Sequence, residues 1–199
     1  MIWFTADTHF GHQNIIAACK RPWETADQMN EGLIANINNL VMPYDTLYIL
    51  GDFSYRLPRE NAAALRSQIH CKHVHLVNGN HDKNWDDYPG DPNGGRVFES
   101  AQDYLELKLE GGRKLVCFHY PLLEWASAYR DAIHVHGHIH SLGSAYNEQN
   151  RAQGYYRYDV GVDANNYYPV ALDDIVSFFN GVTSAFVSTG RSDYKLPAE

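Results

Sequence analysis

Three things are scarce in this chain, and each scarcity excludes something. Cysteine is the first: Cys19, Cys71 and Cys117 are scattered and form no C-x-x-C pair. A disulfide framework is therefore not expected, which fits a reducing compartment and makes the cytoplasm the expected location. Cys117, inside the apolar run LVCF, reads as a buried free thiol. Basic charge is the second: 16 Lys and Arg stand against 24 Asp and Glu, a formal net charge of -8. That argues against a broad basic surface for tracking along nucleic acid, so nucleic acid is allowed as a partner but not favoured. Long apolar runs are the third. None is long enough to cross a bilayer, and no membrane partner is expected. The opening MIWFTADTHFGH is interrupted by Asp7 and has no basic segment followed by an apolar core, so no secretory leader is expected there. Internal repeats and low-complexity tracts are missing as well.

What remains has the texture of an ordinary globular chain, with 44% hydrophobic and 20% charged residues. Its 199 residues suit one domain with a single sizeable core, expected over 1–185, with a polar, loose tail over 186–199. Nothing in the sequence bears on oligomeric state. Apolar runs predict strands over Ile2–Ala6, Asp45–Leu50 and His73–Val77. Between them, helical spacing predicts Asn14–Lys20, Ala26–Leu40 with Thr25 as N-cap, and Pro58–Ile69. This β-α-β-α-β rhythm favours parallel strands covered by helices. The Pro- and Gly-rich stretch Asp86–Gly95 reads as a loop. Beyond it the chain is strand-rich: Tyr104–Leu109, a turn at Gly111-Gly112, Lys114–Phe118, Ile133–His136, Tyr156–Val162, and Val170–Phe179 of undecided type.

The residues able to hold a metal fall just after these strands. Asp7 and His9 follow the first, Asp52 the second, and Asn80, His81 and Asp82 the third. His119 follows Lys114–Phe118, and His138 and His140 follow Ile133–His136. Ligand sites in open α/β sheets gather beyond the carboxyl ends of strands, where residues distant in sequence converge. Mixed imidazole, carboxylate and amide-oxygen donors suit Mn, Fe or Zn, and this many exceed the needs of one tetrahedral ion. Two metals are therefore expected, with a two-oxygen carboxylate between them; Asp52, central in the series and preceded by Gly51, is the candidate. Such a pair can activate water and hold both ends of an in-line displacement at phosphorus.

Taken in order, D-x-H (Asp7, His9), G-D (Gly51, Asp52), G-N-H-D (Gly79 to Asp82), H (His119) and G-H-x-H (Gly137 to His140) resemble the five signature blocks of the calcineurin-like metallophosphoesterase superfamily. Any one block is usually just a turn; all five in the same order are specific. ADTHFGHQNII and VGVDANNYYPVALDDI also resemble small single-domain bacterial and phage members. The resemblance implies a mixed α/β (α+β) fold, a four-layer sandwich of two packed β-sheets flanked by helices. It implies two divalent ions, Mn²⁺ first and Fe, Zn or Ni as alternatives, and a small phosphate-ester substrate. Asp7, His9, Asp52 and His140 would bind one ion, and Asp52, Asn80, His119 and His138 the other. A hydroxide bridging the ions would attack phosphorus, His81 would assist the leaving oxygen, and Asp82 would orient the imidazole. A phosphodiester substrate is favoured because no inserted cap is evident, with a phosphomonoester as the alternative. A non-catalytic protein-interaction scaffold of the same fold is a further alternative, although it has no chemical need for His81 and the complete donor set; a metal-storage protein does not explain the His81-Asp82 pair and ranks last.

Other residues carry less. His12, Asn14 and Arg21 follow the first block and are candidates for contacting the substrate phosphate; for Arg21 a solvated charge before Pro22 is the rival reading. His70, His73 and His75 cluster around Cys71 but lack zinc spacing, so ordinary structural histidines are expected. Tyr120 is either a pocket wall or core, and Asp159 and Asp163 are expected to make structural hydrogen bonds. In IHVHGHIHS, Gly137 breaks the strand. His138 and His140 then become ligands of different ions, His136 supports a ligand or touches substrate, and His134 is structural.

Overall fold

The computed structural model describes residues 1–82, 85, 88 and 96–186. Most of the loop expected over 86–95, and the tail from 187 onward, lie outside the described residues. The chain begins with β1 (Ile2–Thr5), α1 (Gln13–Ala18), α2 (Ala26–Leu40), β2 (Thr46–Ile49), α3 (Arg59–Ser67) and β3 (His73–Val77). These match the sequence expectation to within two residues at each end, and α2 and β3 coincide with it. α2 starts where a capping box predicts: the Thr25 hydroxyl accepts the Gln28 N–H, and the Gln28 side chain accepts the Thr25 N–H. The second half comprises β4 (Ser100–Gln102), β5 (Tyr104–Lys108), β6 (Lys114–Phe118), β7 (Ile133–His136), α4 (Ala145–Ala152), β8 (Arg157–Asp159), β9 (Val170–Ala171) and α5 (Leu172–Phe178).

Two mixed sheets result. One has the order β4-β3-β2-β1-β9, parallel from β4 to β1 with β9 antiparallel at the edge. The other has the order β5-β6-β7-β8, in which only the β5–β6 hairpin is antiparallel. Strand alternation sends Trp3, Leu47, Ile49, Val74 and Leu76 against Met29, Leu33 and Ile37 of α2 and the alanines of α3. Phe4, Leu50 and Val77, facing the other way, meet Leu115, Cys117, Ile133 and Val135 of the second sheet and Ile175 and Phe179 beyond it. The architecture is α/β, two packed mixed sheets flanked by helices. Among the described residues no helix is long and apolar enough to cross a membrane.

Four elements depart from the sequence reading, β4 among them, and three do so for a visible reason. β8 stops at Asp159 rather than running from Tyr156 to Val162, because the chain leaves its sheet there and Gly161 bridges to Ala6 of the other. The Val170–Phe179 segment divides: two residues pair with β1, and Asp173 and Asp174 then occupy the favoured first turn of α5. Helix α4 has no apolar stripe to announce it. Its buried face is Asn147 and Asn150, and Asn147 docks on β8 by accepting the Asp159 N–H and donating to the Asp159 carbonyl.

Candidate metal centre

The loops leaving β1 and β2 travel together across the top of the first sheet. Asp7 N–H donates to the Gly51 carbonyl at 3.0 Å, His9 N–H to the Asp52 carbonyl at 2.9 Å, and Phe10 N–H to the Phe53 carbonyl at 2.9 Å. Both loops turn through left-handed backbone, with φ of 58° at Asp7, 49° at His9 and 53° at Asp52. The β7 loop does the same, with φ of 72° at His138 and 47° at His140. Non-glycine residues rarely adopt this region; of the eleven described ones that do, five are these donors.

These turns gather two groups of donors. Ligand atoms of Asp7, His9 and His140 lie within 4.8 Å of one another, as do those of Asp52, His119 and His138. The Asp52 carboxylate joins the groups: Oδ2 stands 3.4 Å from His9 Nε2 and 3.6 Å from His119 Nε2. Its Oδ1 accepts the His81 N–H at 2.9 Å, so each oxygen has one task. Asn80 Oδ1 lies 3.1 Å from His119 Nε2 and completes the second group. Two donors bound about 2.1 Å from one ion stand about 3–3.4 Å apart, close to these spacings. Asp7 Oδ1 and His9 Nε2 are buried with no hydrogen-bond partner among the described residues, a costly state that a cation relieves. The donor set therefore fits two divalent ions. Small residues make this closeness feasible: a Cβ at Gly79 would sit 2.3 Å from Asp52 Oδ1, and one at Gly137 would sit 2.5 Å from Asp7 Oδ2.

The electrostatics follow from burial. Burial pushes the Asp7 carboxyl well above the usual carboxylate range, so the anion needs a compensating positive charge. Burial acts in the same direction on Asp52, but the His9 ring and the His81 N–H outweigh it and hold the carboxyl at about 2. Burial lowers His9, His119 and His138, favouring neutral rings with a free lone pair. His140 is the exception: burial opposes its charge, but the Asp163 carboxylate 2.8 Å from Nδ1 prevails and raises it to about 10.

Several expectations about single residues are corrected. Arg21 is neither a phosphate grip nor a solvated charge; its side chain is fully buried and paired with Asp163. Asp82 does not orient the His81 ring. Its carboxylate accepts three backbone N–H groups, from Asp52 and Gly79 on Oδ2 and Phe53 on Oδ1, each at 2.8–2.9 Å. Burial still lifts that carboxyl to about 6 against the pull of those donors. His136 is fully buried, with Nδ1 on the Gly137 carbonyl, and has no surface for a substrate. His134 is also buried, held between the Val116 and Tyr120 carbonyls and the Leu122 N–H. Asn14 is exposed on α1, within a shallow surface depression formed with Gln13, Lys20 and Glu24.

His12 lies in the centre's wall, with Nδ1 3.2 Å from His9 Nδ1 and its ring stacked on Tyr55 at 3.7 Å. Tyr55 also meets the His81 ring edge-on at 4.9 Å. Sequence reasoning missed it, since Phe53 and Ser54, which carry no motif, separate it from Asp52. Tyr120 is a wall rather than core, 37% exposed with its ring 4.6 Å from that of His138.

Comparison with known proteins agrees with this geometry. The model of the calcineurin-like phosphoesterase family matches residues 1–172. An uncharacterised protein of Methanocaldococcus jannaschii is 30% identical over 179 residues, spanning 88% of this chain and 89% of that one. The gene 66 protein of a Mycobacterium phage is 28% identical over 159 residues, spanning 70% and 78% respectively. The crystal structure of a protein of unknown function from Aquifex aeolicus has the same fold, with a TM-score of 0.67 at 23% identity over 89% of this chain and 98% of that one. With its family match covering both donor groups, the chain belongs to the calcineurin-like phosphoesterases, a family of metal-dependent phosphoric ester hydrolases.

Proposed function

We propose that the protein is a phosphodiesterase acting on a nucleotide-type or other small phosphodiester with two divalent ions, Mn²⁺ foremost. The observation that carries this reading is Asp52 Oδ2, placed 3.4 Å from His9 Nε2 and 3.6 Å from His119 Nε2, which links two donor groups through one carboxylate. Asp7, His9, Asp52 and His140 would hold one ion, and Asp52, Asn80, His119 and His138 the other. When bound, the ions supply Lewis acidity toward the phosphoryl oxygens and make water nucleophilic at neutral pH.

The chain's own groups do the rest. His81 is exposed, with its backbone tied to Asp52 Oδ1 at 2.9 Å and its ring 5.5 Å from that of His9. From there the imidazole hands a proton to the leaving oxygen as the ester bond breaks. Asp82 fixes the backbone that carries both Asp52 and His81 through its three N–H contacts. The exposed faces of His81, Tyr120 and Ile139 beside the donors support an open site able to pass a diester with groups on both sides of phosphorus.

The test is hydrolysis by Mn-loaded protein of bis(4-nitrophenyl) phosphate against 4-nitrophenyl phosphate. The diester is expected to be the better substrate. His81→Ala should lower kcat by about 10²-fold or more with metal content unchanged, and Asp52→Asn should lose metal. Preference for the monoester moves the assignment to phosphomonoesterase, and full activity in both variants refutes the site.

A further inference from the structure

Behind the metal-facing atoms lies a buried ion pair with no direct part in the reaction. Arg21 follows α1, Asp163 follows β8, and both side chains have no exposed surface. The guanidinium grips the carboxylate as a fork, with Nε 2.8 Å from Oδ1 and Nη2 2.9 Å from Oδ2. Its other donations go to two backbone carbonyls, Nη2 to Asp7 at 2.8 Å and Nη1 to Thr8 at 3.0 Å, and from Nη1 to the Met29 sulfur at 3.3 Å. Asp163 Oδ2 has a further neighbour, His140 Nδ1 at 2.8 Å. One charge pair thus touches the loop that carries Asp7 and the ring of His140, two of the three members of the first donor group.

Such a pair is expensive as a device for stability alone, because both charges lose their water and an apolar pair could fill the same space. Its contacts indicate a different use. Whichever ring nitrogen of a histidine carries the proton decides which one keeps a lone pair. An acceptor held at His140 Nδ1 places the proton there and leaves Nε2 free to bind an ion. The Asp7 carbonyl belongs to a residue in left-handed backbone, a conformation that persists only when surrounding contacts fix it. Cys19 Sγ lies within 4.8 Å of the same His140 and Asp163 atoms, but both carboxylate oxygens are already engaged by Arg21, so that cluster is a support and not an ion site.

We propose that Asp163 and Arg21 are a positioning pair for one of the two ions: Asp163 fixes the tautomer and plane of His140, while Arg21 locks Asp163 and pins the Asp7–Thr8 backbone. The proposal rests on reading Asp7, His9 and His140 as metal ligands. Neither positioning residue touches the substrate.

The test is Mn²⁺ titration of the full chain after chelator stripping, read by calorimetry and by metal analysis. The unaltered protein takes two ions. Asp163→Asn keeps the shape but sets an amide N–H against an Arg21 donor or against His140 Nδ1. It is expected to weaken one of the two sites about 10- to 100-fold, with the other within about threefold. Arg21→Lys keeps the charge and loses the fork, and should weaken the same site by less. If Asp163→Asn is too unstable to purify, Arg21→Lys carries the test. Unchanged affinity at both sites overturns the proposal. Equal weakening of both also overturns it, since a general loosening of the fold would give that result. His140→Ala separates the two levels of the argument: if it leaves both ions in place, the ligand assignment fails rather than the positioning role.

Discussion

Removing the Asp82 carboxylate distinguishes a brace from a partner of His81. In Asp82→Ala three backbone N–H groups lose their acceptor: Asp52 at 2.8 Å, Phe53 at 2.9 Å and Gly79 at 2.8 Å. A hydrogen bond to a charged group contributes about 1.5–3 kcal/mol. The three share one carboxylate, and Asp82 is only half-buried, so water can reach some of the abandoned donors. The low end applies and the terms do not add fully, which gives about 3–4 kcal/mol. In a chain of this length that lowers Tm by about 6–15 °C. Asp82→Asn can keep its oxygen toward Asp52 and Gly79 but turns its amide toward the Phe53 N–H, so about half the loss is expected. The assay is urea and thermal unfolding of metal-free protein by circular dichroism, alongside the pH profile of kcat for metal-loaded protein. A brace predicts lost stability with the profile's pH position unmoved. Destabilisation below about 1 kcal/mol together with a displaced profile would refute the reasoning and return Asp82 to the His81 ring.

Two other outcomes follow from the same geometry. Gly137→Ala places a Cβ 2.5 Å from Asp7 Oδ2 and 2.6 Å from the Ala6 methyl, so it should cost about 1–3 kcal/mol and weaken Mn²⁺ binding; unchanged unfolding and titration curves would contradict the crowding. Burial draws His134 down to about 4, below its ordinary 6.5, so its share of stability is complete above pH 6.5 and is lost as pH falls toward 4. That share is about 3 kcal/mol. Between pH 7 and 4.5, metal-free protein should therefore lose about 2–3 kcal/mol more than His134→Gln by urea unfolding, and parallel losses would sink the assignment.

What the sequence discloses here depends on the kind of force that forms each feature. Apolar alternation and helical spacing mark β1, α2, β2 and β3 because these elements bury hydrocarbon, and burial leaves a period in the chain. α4 leaves none, since it docks through the amide of Asn147 on the backbone of Asp159. β4, Ser-Ala-Gln at a sheet edge, is equally silent. At the site, the types of Asp7, His9, Asp52 and the histidines are legible because few tasks need so many donors after strands. Their supports are not. Arg21 and Asp163 are 142 residues apart, and only the crossing of the chain from β8 toward β1 brings them together. Proximity in sequence misled for Asp82 as well: it follows His81 directly, yet its carboxylate turns toward the loop after β2.

The backbone at the donors carries a last consequence. Five of the seven proposed ligands, Asp7, His9, Asp52, His138 and His140, have positive φ, while Asn80 and His119 do not. At about 1 kcal/mol each, the strain comes to about 5 kcal/mol, comparable with the whole stability of a marginal domain. The paired loops after β1 and β2, with Asp7, His9 and Phe10 bonded to Gly51, Asp52 and Phe53, offset part of it. Arg21 offsets more by holding the Asp7 and Thr8 carbonyls. These contacts brace the loops that carry the donors. The same strain makes the two loop systems interdependent. Loosening one releases donors on both sides of Asp52, whose carboxylate lies beside His9 and His119 alike. Five of the eleven described non-glycine residues with positive φ thus lie where one carboxylate has to serve two donor groups.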